Sequence, residues 1–279
     1  YKNNSMIIWL ASYPKSGNTW VRSIVSALAY SNDGVFNMKM LSQIPQFPRS
    51  SQFKDFDGSI DDINVIKKFW IKAQEKINHD NKLYFLKTHH ANIKIENYSF
   101  TNRDNTIGTI YIVRDPRNII SSISNHFGLT QKEAKNFIFT GRALKEGSKD
   151  NKGIQTIIGT WEEHYNSWTK YNDNLLLIKY EDLINNINDE IIKISKFVSR
   201  FTKINVNDEK IKKIAETTNF KNLSGMEDEG MFDEYKDKKR KFKFFNKGPS
   251  NSWQKNLDNN IKIEIEEKYS NLMKKLDYI

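Results

Sequence analysis

The chain has 279 residues, 38% of them hydrophobic, and carries a formal net charge of +10. This length and apolar share suit a single α/β domain over residues 1–279 with insertions, and the charge suits a polyanionic ligand without separating nucleotide from nucleic acid or an acidic surface. Cysteine is absent, which excludes disulfides, thiolate nucleophiles and cysteine metal sites and favours a reducing, cytoplasmic setting.

The apolar run Met6–Ala11 is followed by Ser12-Tyr13-Pro14-Lys15-Ser16-Gly17-Asn18-Thr19-Trp20, then by apolar residues at Trp20, Val21, Ile24, Val25, Ala27 and Leu28. That order predicts a buried strand, a tight loop and an amphipathic helix running to Tyr30. The first N–H groups of a helix have no internal partner and the helix dipole leaves positive charge there, so the loop is suited to an anion. Gly17 lets backbone approach a ligand, Asn18 and Thr19 offer side-chain donors, and Lys15 adds a full charge. It is not a Walker A loop, since there is one glycine and the lysine precedes it. A plain strand-to-helix turn with a solvated Lys15 is the competing reading of this stretch alone.

Residues Ser31 to Ser59 read as irregular chain with aromatics at Phe36, Phe47, Phe53 and Phe56. They are expected either to form an acceptor-binding wall or to be a surface excursion. Asp61 to Asn78 has helical spacing, and Leu83–Leu86 is a second strand running into Lys87-Thr88-His89-His90. Ligands of open α/β sheets bind at the carboxyl ends of strands, so Lys87 and one of the two histidines are site candidates, the other being structural. A third strand, Thr109–Val113, leads to Arg114, an N-cap at Asp115, Pro116, and a helix from Arg117 to about Phe127. Arg114 with Ser121 or Ser122 is placed to grip a second phosphate.

Thr130–Leu144 and Gly153–Tyr171 are predicted as helices. Trp161, Tyr165 and Trp168 fall on one face for packing, and His164 is read as structural. Leu175–Tyr180 is a fourth strand, followed by helices through Val198 and over Asp208–Thr218, then Asn219-Phe220. Glu227 to Lys247 turns from acidic to basic at Lys236, Lys238, Lys239, Arg240, Lys241, Lys243 and Lys247, interleaved with Phe242, Phe244 and Phe245. A nucleic-acid stripe and a lid closing on a polyanion share that pattern. A charged helix from about Asn260 to Leu276 ends the chain, and no apolar run approaches bilayer length.

These anchors, in this order, resemble the cytosolic-type sulfotransferases that use 3′-phosphoadenosine 5′-phosphosulfate, PAPS. Tyr13 to Trp20 is similar to the family's 5′-phosphosulfate loop, and Ile112 to Ser122 to its 3′-phosphate motif. Lys87-Thr88-His89, Tyr180-Glu181-Asp182 and Thr218-Asn219-Phe220 match further family positions. The resemblance implies a P-loop-like fold with a central, mainly parallel sheet and transfer of a sulfuryl group to a hydroxyl, or secondarily an amine, of a small molecule, lipid or sugar. It implies that Lys15, Ser16, Gly17, Asn18 and Thr19 hold the phosphosulfate. Trp20, Tyr180, Thr218 and Phe220 would surround the adenine, while Arg114 and Ser122, with Lys247 and Gly248, would hold the 3′-phosphate. His89 would be the general base and Lys87 would neutralise the sulfuryl group, with no metal and no nucleic acid required.

Two departures stand out. The family's Arg-Lys-Gly reads Asn246-Lys247-Gly248 here, with Lys243 or Arg240 as candidate replacements, and the dimer motif of some members is missing after Lys255, which leaves the oligomeric state open. The rival readings are a P-loop nucleotide kinase, a nucleic-acid-binding protein using the stretch near Lys236–Lys247, and an inactive PAPS-fold binding protein.

Overall fold

Ile7 to Ser12 is buried on both faces along its whole length, as a continuous apolar run flanked by Pro and Gly requires of an interior parallel strand. The computed structural model describes residues 6–80, 82–146, 154–171, 174–232 and 243–279. In chain order its elements are β1 (Ile7–Ser12), α1 (Asn18–Tyr30), α2 (Ile63–Ile66), α3 (Trp70–Ile77), β2 (Tyr84–Thr88), β3 (Lys94–Ile95), β4 (Tyr98–Ser99), β5 (Thr106–Val113), α4 (Pro116–Phe127), α5 (Gln131–Phe139), β6 (Arg142–Glu146), β7 (Ile154–Gly159), α6 (Trp161–Thr169), β8 (Leu175–Lys179), α7 (Tyr180–Asn185), α8 (Ile187–Val198), α9 (Asp208–Thr217), α10 (Phe220–Asp228), α11 (Trp253–Asn256), α12 (Asn259–Lys268) and α13 (Ser270–Lys275). No helix among the described residues is long and apolar enough to cross a membrane.

The main sheet has the order β2-β1-β5-β8. β1 runs parallel to both its neighbours, with Ala11 opposite Thr88 on one side and Tyr111 on the other. The fold is therefore α/β with a mainly parallel sheet. The chain divides into two compact units, one of Tyr1–Tyr13, Ile44–Ile112 and Thr140–Leu177, the other of Pro14–Gln43, Val113–Phe139 and Ile178–Ile279.

In the first unit the core is an aromatic cluster centred on Phe100, whose ring lies 5.6 Å from Trp9, 5.7 Å from Phe47, 5.5 Å from Trp70 and 4.2 Å from the stacked His90. Phe53 joins it through Phe47. These contacts decide the stretch Ser31–Ser59: Phe47 and Phe53 are fully buried core residues, and Phe56 stacks on Phe69 at 4.8 Å. The cluster removes the Phe47 and Phe53 rings from solvent, while Phe56 is half-buried.

Thr130–Leu144 and Gly153–Tyr171 are not helical throughout, contrary to expectation. The helices are shorter, α5 and α6, and between them β6 and β7 pair antiparallel. β7 alternates buried and half-buried positions, the period of a strand, with Thr156, Ile157 and Ile158 adding β-branched bulk. Gly159 at φ 64° then ends the strand, and Thr160 opens α6 with a reciprocal capping box to Glu163.

In the second unit, Lys210 on α9 closes the end of α1. Its ammonium donates to the carbonyls of Leu28 at 3.0 Å and Ser31 at 2.8 Å, a cation at the negative end of a helix. The terminal helix is broken into α12 and α13 around Tyr269, whose hydroxyl donates to the Ile138 carbonyl.

Phe100→Ala leaves a cavity at the centre of the first unit and is expected to cost about 3–5 kcal/mol of stability. Urea unfolding of the two proteins measures it.

Candidate functional site

In the second unit the loop from Pro14 to Gly17 leads into α1. α1 begins at Asn18 with Gly17 as its N-cap at φ 98°, a residue with no side chain to cap the helix, whereas Asp115, Thr160, Asn207 and Asn219 cap α4, α6, α9 and α10 through their side chains. Lys15 is also left-handed, at φ 66°. Two positive φ values within three residues fold the loop back over the helix end. The Ser16 hydroxyl is buried there without a hydrogen-bond partner, a feature that calls for a ligand oxygen.

Arg114, at the end of β5, fastens this loop. One guanidinium nitrogen donates to the Lys15 carbonyl at 3.1 Å and to the Ser122 hydroxyl on α4 at 3.2 Å. The guanidinium plane stacks 4.1 Å over the Tyr180 ring, and its Nε is buried without a partner. Tyr180 in turn meets Trp20 edge-on at 5.6 Å. A Cβ on Gly17 would overlap the Tyr180 ring. Lys15, Gly17, Trp20, Arg114, Ser122 and Tyr180 are thus joined by direct contacts. The Lys15 ammonium lies 3.5 Å from His126 and 4.1 Å above the Phe244 ring.

Asp115 caps α4 and is held by Arg117, which also reaches Glu266 at 2.5 Å and stacks on Trp253 at 4.0 Å. Glu181 accepts from the Asp115 N–H at 3.1 Å and the Tyr278 hydroxyl at 3.0 Å, and burial raises its pKa. The sequence singled out neither Arg117 nor Glu181 for these roles; an arginine two residues after an N-cap aspartate was the available signal.

Phe220 and Gly248 are also brought together, since a Cβ on Gly248 would strike the Phe220 ring. Thr218 is fully buried, and its hydroxyl donates to the Ile214 carbonyl at 2.7 Å. Lys247 and Asn246 are exposed, and Glu227 accepts the N–H groups of Phe244 and Phe245 at 2.6 and 2.8 Å. The basic residues Lys236 to Lys241 with Phe242 lie outside the described residues.

The first unit carries Lys87 and His89, both half-buried. His89 follows β2, and because Ala11 pairs with Thr88 it leaves the sheet beside Ser12. Its Nδ1 lies 2.8 Å from the Ser12 carbonyl and 3.3 Å from the Ser12 hydroxyl. A carbonyl only accepts, so Nδ1 carries the proton and, in the neutral ring, the lone pair is on Nε2. His90 is the structural member of the pair. It is buried against Phe100, donates Nδ1–H to the Ala91 carbonyl at 2.6 Å, and burial lowers its pKa to about 4.

A family model described as the sulfotransferase domain matches residues 6–277. The chain belongs to the sulfotransferase family. Among curated sulfotransferases it is 26% identical over 191 residues to the 3-alpha-hydroxysteroid sulfotransferase of Cavia porcellus, covering 68% of this chain and 57% of that one. Against Sulfotransferase 1E1 of Rattus norvegicus it is 25% identical over 274 residues, covering 95% and 82%. The mouse sulfotransferase SULT7A1 complexed with PAP superposes with a TM-score of 0.61 at 20% identity, covering 100% of this chain and 86% of that one. That likeness shows the fold.

In this sulfotransferase chain, Gly17→Ala places a side chain at φ 98° against Tyr180 and is expected to lower stability by about 1–3 kcal/mol in denaturant titration. His90 and His164 are buried and neutral, with pKa values lowered by burial to about 4 and about 3. The unfolded chain binds protons on both below about pH 6.5 while the folded chain does not, so their stability is full above that pH and falls as pH drops toward 4. Each histidine contributes a slope of about 1.4 kcal/mol per pH unit, and His90→Gln is expected to remove one such slope from denaturation curves measured between pH 6.5 and 4.

Proposed function

We propose that this chain transfers the sulfuryl group of PAPS to a hydroxyl, in preference to an amine, on a small acceptor molecule. The observation that carries the reading is the glycine-capped start of α1, where the buried Ser16 hydroxyl lacks a partner and Arg114 grips the Lys15 carbonyl. Orphaned polar atoms beside a glycine whose Cβ position is filled by Tyr180 fit a phosphorylated nucleotide.

Lys15, Ser16, Gly17, Asn18 and Thr19 would hold the 5′-phosphosulfate, and Arg114 with Ser122 the 3′-phosphate, their arrangement being already fixed by the contacts of Arg114. Trp20, Tyr180, Thr218 and Phe220 would surround the base. Lys247 and Gly248 would complete the 3′ side, where Asn246 stands in the place of the family arginine. PAPS, when bound, supplies an activated sulfuryl group on a phosphate leaving group. Lys15 and Lys87 would stabilise negative charge that grows during transfer. His89 would take the acceptor hydroxyl proton on Nε2, and the Ser12 carbonyl, already accepting Nδ1–H, would steady the resulting imidazolium. Relatives named for hydroxysteroids support an apolar alcohol as acceptor.

Thermal melting with PAP, ADP, and ATP plus magnesium tests the nucleotide. Selective stabilisation by PAP is expected by mass action, and equal or greater stabilisation by ATP with magnesium would overturn the reading in favour of a kinase. His89→Ala is expected to lose roughly a hundred- to ten-thousandfold in kcat while PAP affinity holds; wild-type turnover in that variant would remove His89 as the base.

A further inference from the structure

His89 is tied to the sheet by more than its ring. Its carbonyl accepts from His164 Nε2 on α6 at 3.1 Å, and His164 Nδ1 lies 2.9 Å from the Tyr111 hydroxyl on β5. The Tyr111 oxygen also accepts the backbone N–H of Tyr13. That N–H and the Ser12 carbonyl, which accepts His89 Nδ1–H, are the two ends of one peptide group. The contacts therefore close on themselves, from the Ser12–Tyr13 peptide through Tyr111 and His164 to His89 and back to the same peptide.

The two carbonyls set every direction in this loop. The His89 carbonyl can only accept, so His164 carries its proton on Nε2 and presents a lone pair at Nδ1. Tyr111 must then give its hydroxyl proton to His164, and it receives the Tyr13 N–H on oxygen. Full burial of His164 and Tyr111 keeps both neutral, which leaves one consistent arrangement. The rest of the turn is held as closely. Trp168 Nε1 donates to the His90 carbonyl at 2.9 Å, the Ala91 N–H to the Ile157 carbonyl at 2.7 Å, and the Asn92 N–H to the Ser167 hydroxyl at 3.0 Å.

We propose that Tyr111 and His164 are positioning residues whose closed hydrogen-bond circuit with the Ser12–Tyr13 peptide holds His89 in place with its lone pair on Nε2. This rests on the reading of His89 as the base. The role of α6 is then to template the turn that carries it, beyond packing on the sheet, and the side chains that do so touch His89 only through its backbone.

Long-range 1H–15N spectra of the histidine rings test the circuit without reference to turnover. In the wild type, His89 is expected to show a protonated Nδ1 and an unprotonated Nε2. Tyr111→Phe removes the hydroxyl, and His164→Asn keeps an acceptor for Tyr111 but loses the donor to the His89 carbonyl. Both are expected to show a mixture of His89 tautomers and a kcat lowered about tenfold, with PAP affinity unchanged. His164→Gln, which keeps a donor at the Nε2 position, is expected to retain most of the turnover. A wild-type His89 protonated at Nε2 overturns the proposal without any variant having to fold. Wild-type spectra and turnover in both Tyr111→Phe and His164→Asn overturn it as well. Mixed tautomers with undiminished turnover uphold the circuit and sink the reading of His89 as the base.

Discussion

The parallel register of β1 between β2 and β5 is the constraint on which the rest depends. β1 is apolar on both faces, so burial demands a neighbour on each edge and cover on each side. Placing Ala11 opposite both Thr88 and Tyr111 fixes the position of the peptide after it. That peptide, Ser12–Tyr13, has its carbonyl against His89 and its N–H against the Tyr111 hydroxyl. A slip of one residue would exchange the faces of β1 and separate these partners. The same peptide continues directly into Pro14 and Lys15, the start of the loop that precedes α1.

Beyond that peptide the loop is built from strained backbone that its surroundings enforce. Lys15 and Gly17 both take positive φ values, and Lys15 does so without the freedom of glycine. Arg114 holds the Lys15 carbonyl where that conformation puts it, and the Tyr180 ring occupies the space a side chain at position 17 would need. Arg114 is itself sandwiched between Tyr180 and Ser122. Strain of a few kilocalories persists only where several contacts oppose its release, and here they come from β5, α4 and α7.

Burial sorts residues of one chemical type into different roles. His89 and His90 are adjacent, yet one is half-buried with its ring turned to the Ser12 carbonyl and the other is sealed against Phe100. His164 is sealed too, and loses its basicity, but its two nitrogens join Tyr111 to the His89 backbone. The aromatics of the irregular stretch after α1 obey the same rule. Phe47 and Phe53 belong to the core because the cluster around Phe100 offers them more apolar contact than solvent does.

Much of the fold was legible because its signals are local. A buried strand, then Pro and Gly, then helical spacing specified β1, the loop and α1, and Asp115 followed by Pro116 specified the start of α4. The hairpin of β6 and β7 was not legible. Its two short strands overlap a helical spacing, and only the antiparallel pairing between separate segments tips the balance. By itself, then, the sequence determined the order of β1, α1, β2, β5, α4 and β8 and which residues carry charge and nucleophilic or basic chemistry. The tertiary structure alone decided which histidine is half-exposed, which tautomer it holds, and which tyrosine and arginine fix it and the loop. Those properties depend on registers and contacts between segments far apart in the chain, as Arg114 is from Lys15 and His89 from Ser12, and no local pattern encodes them.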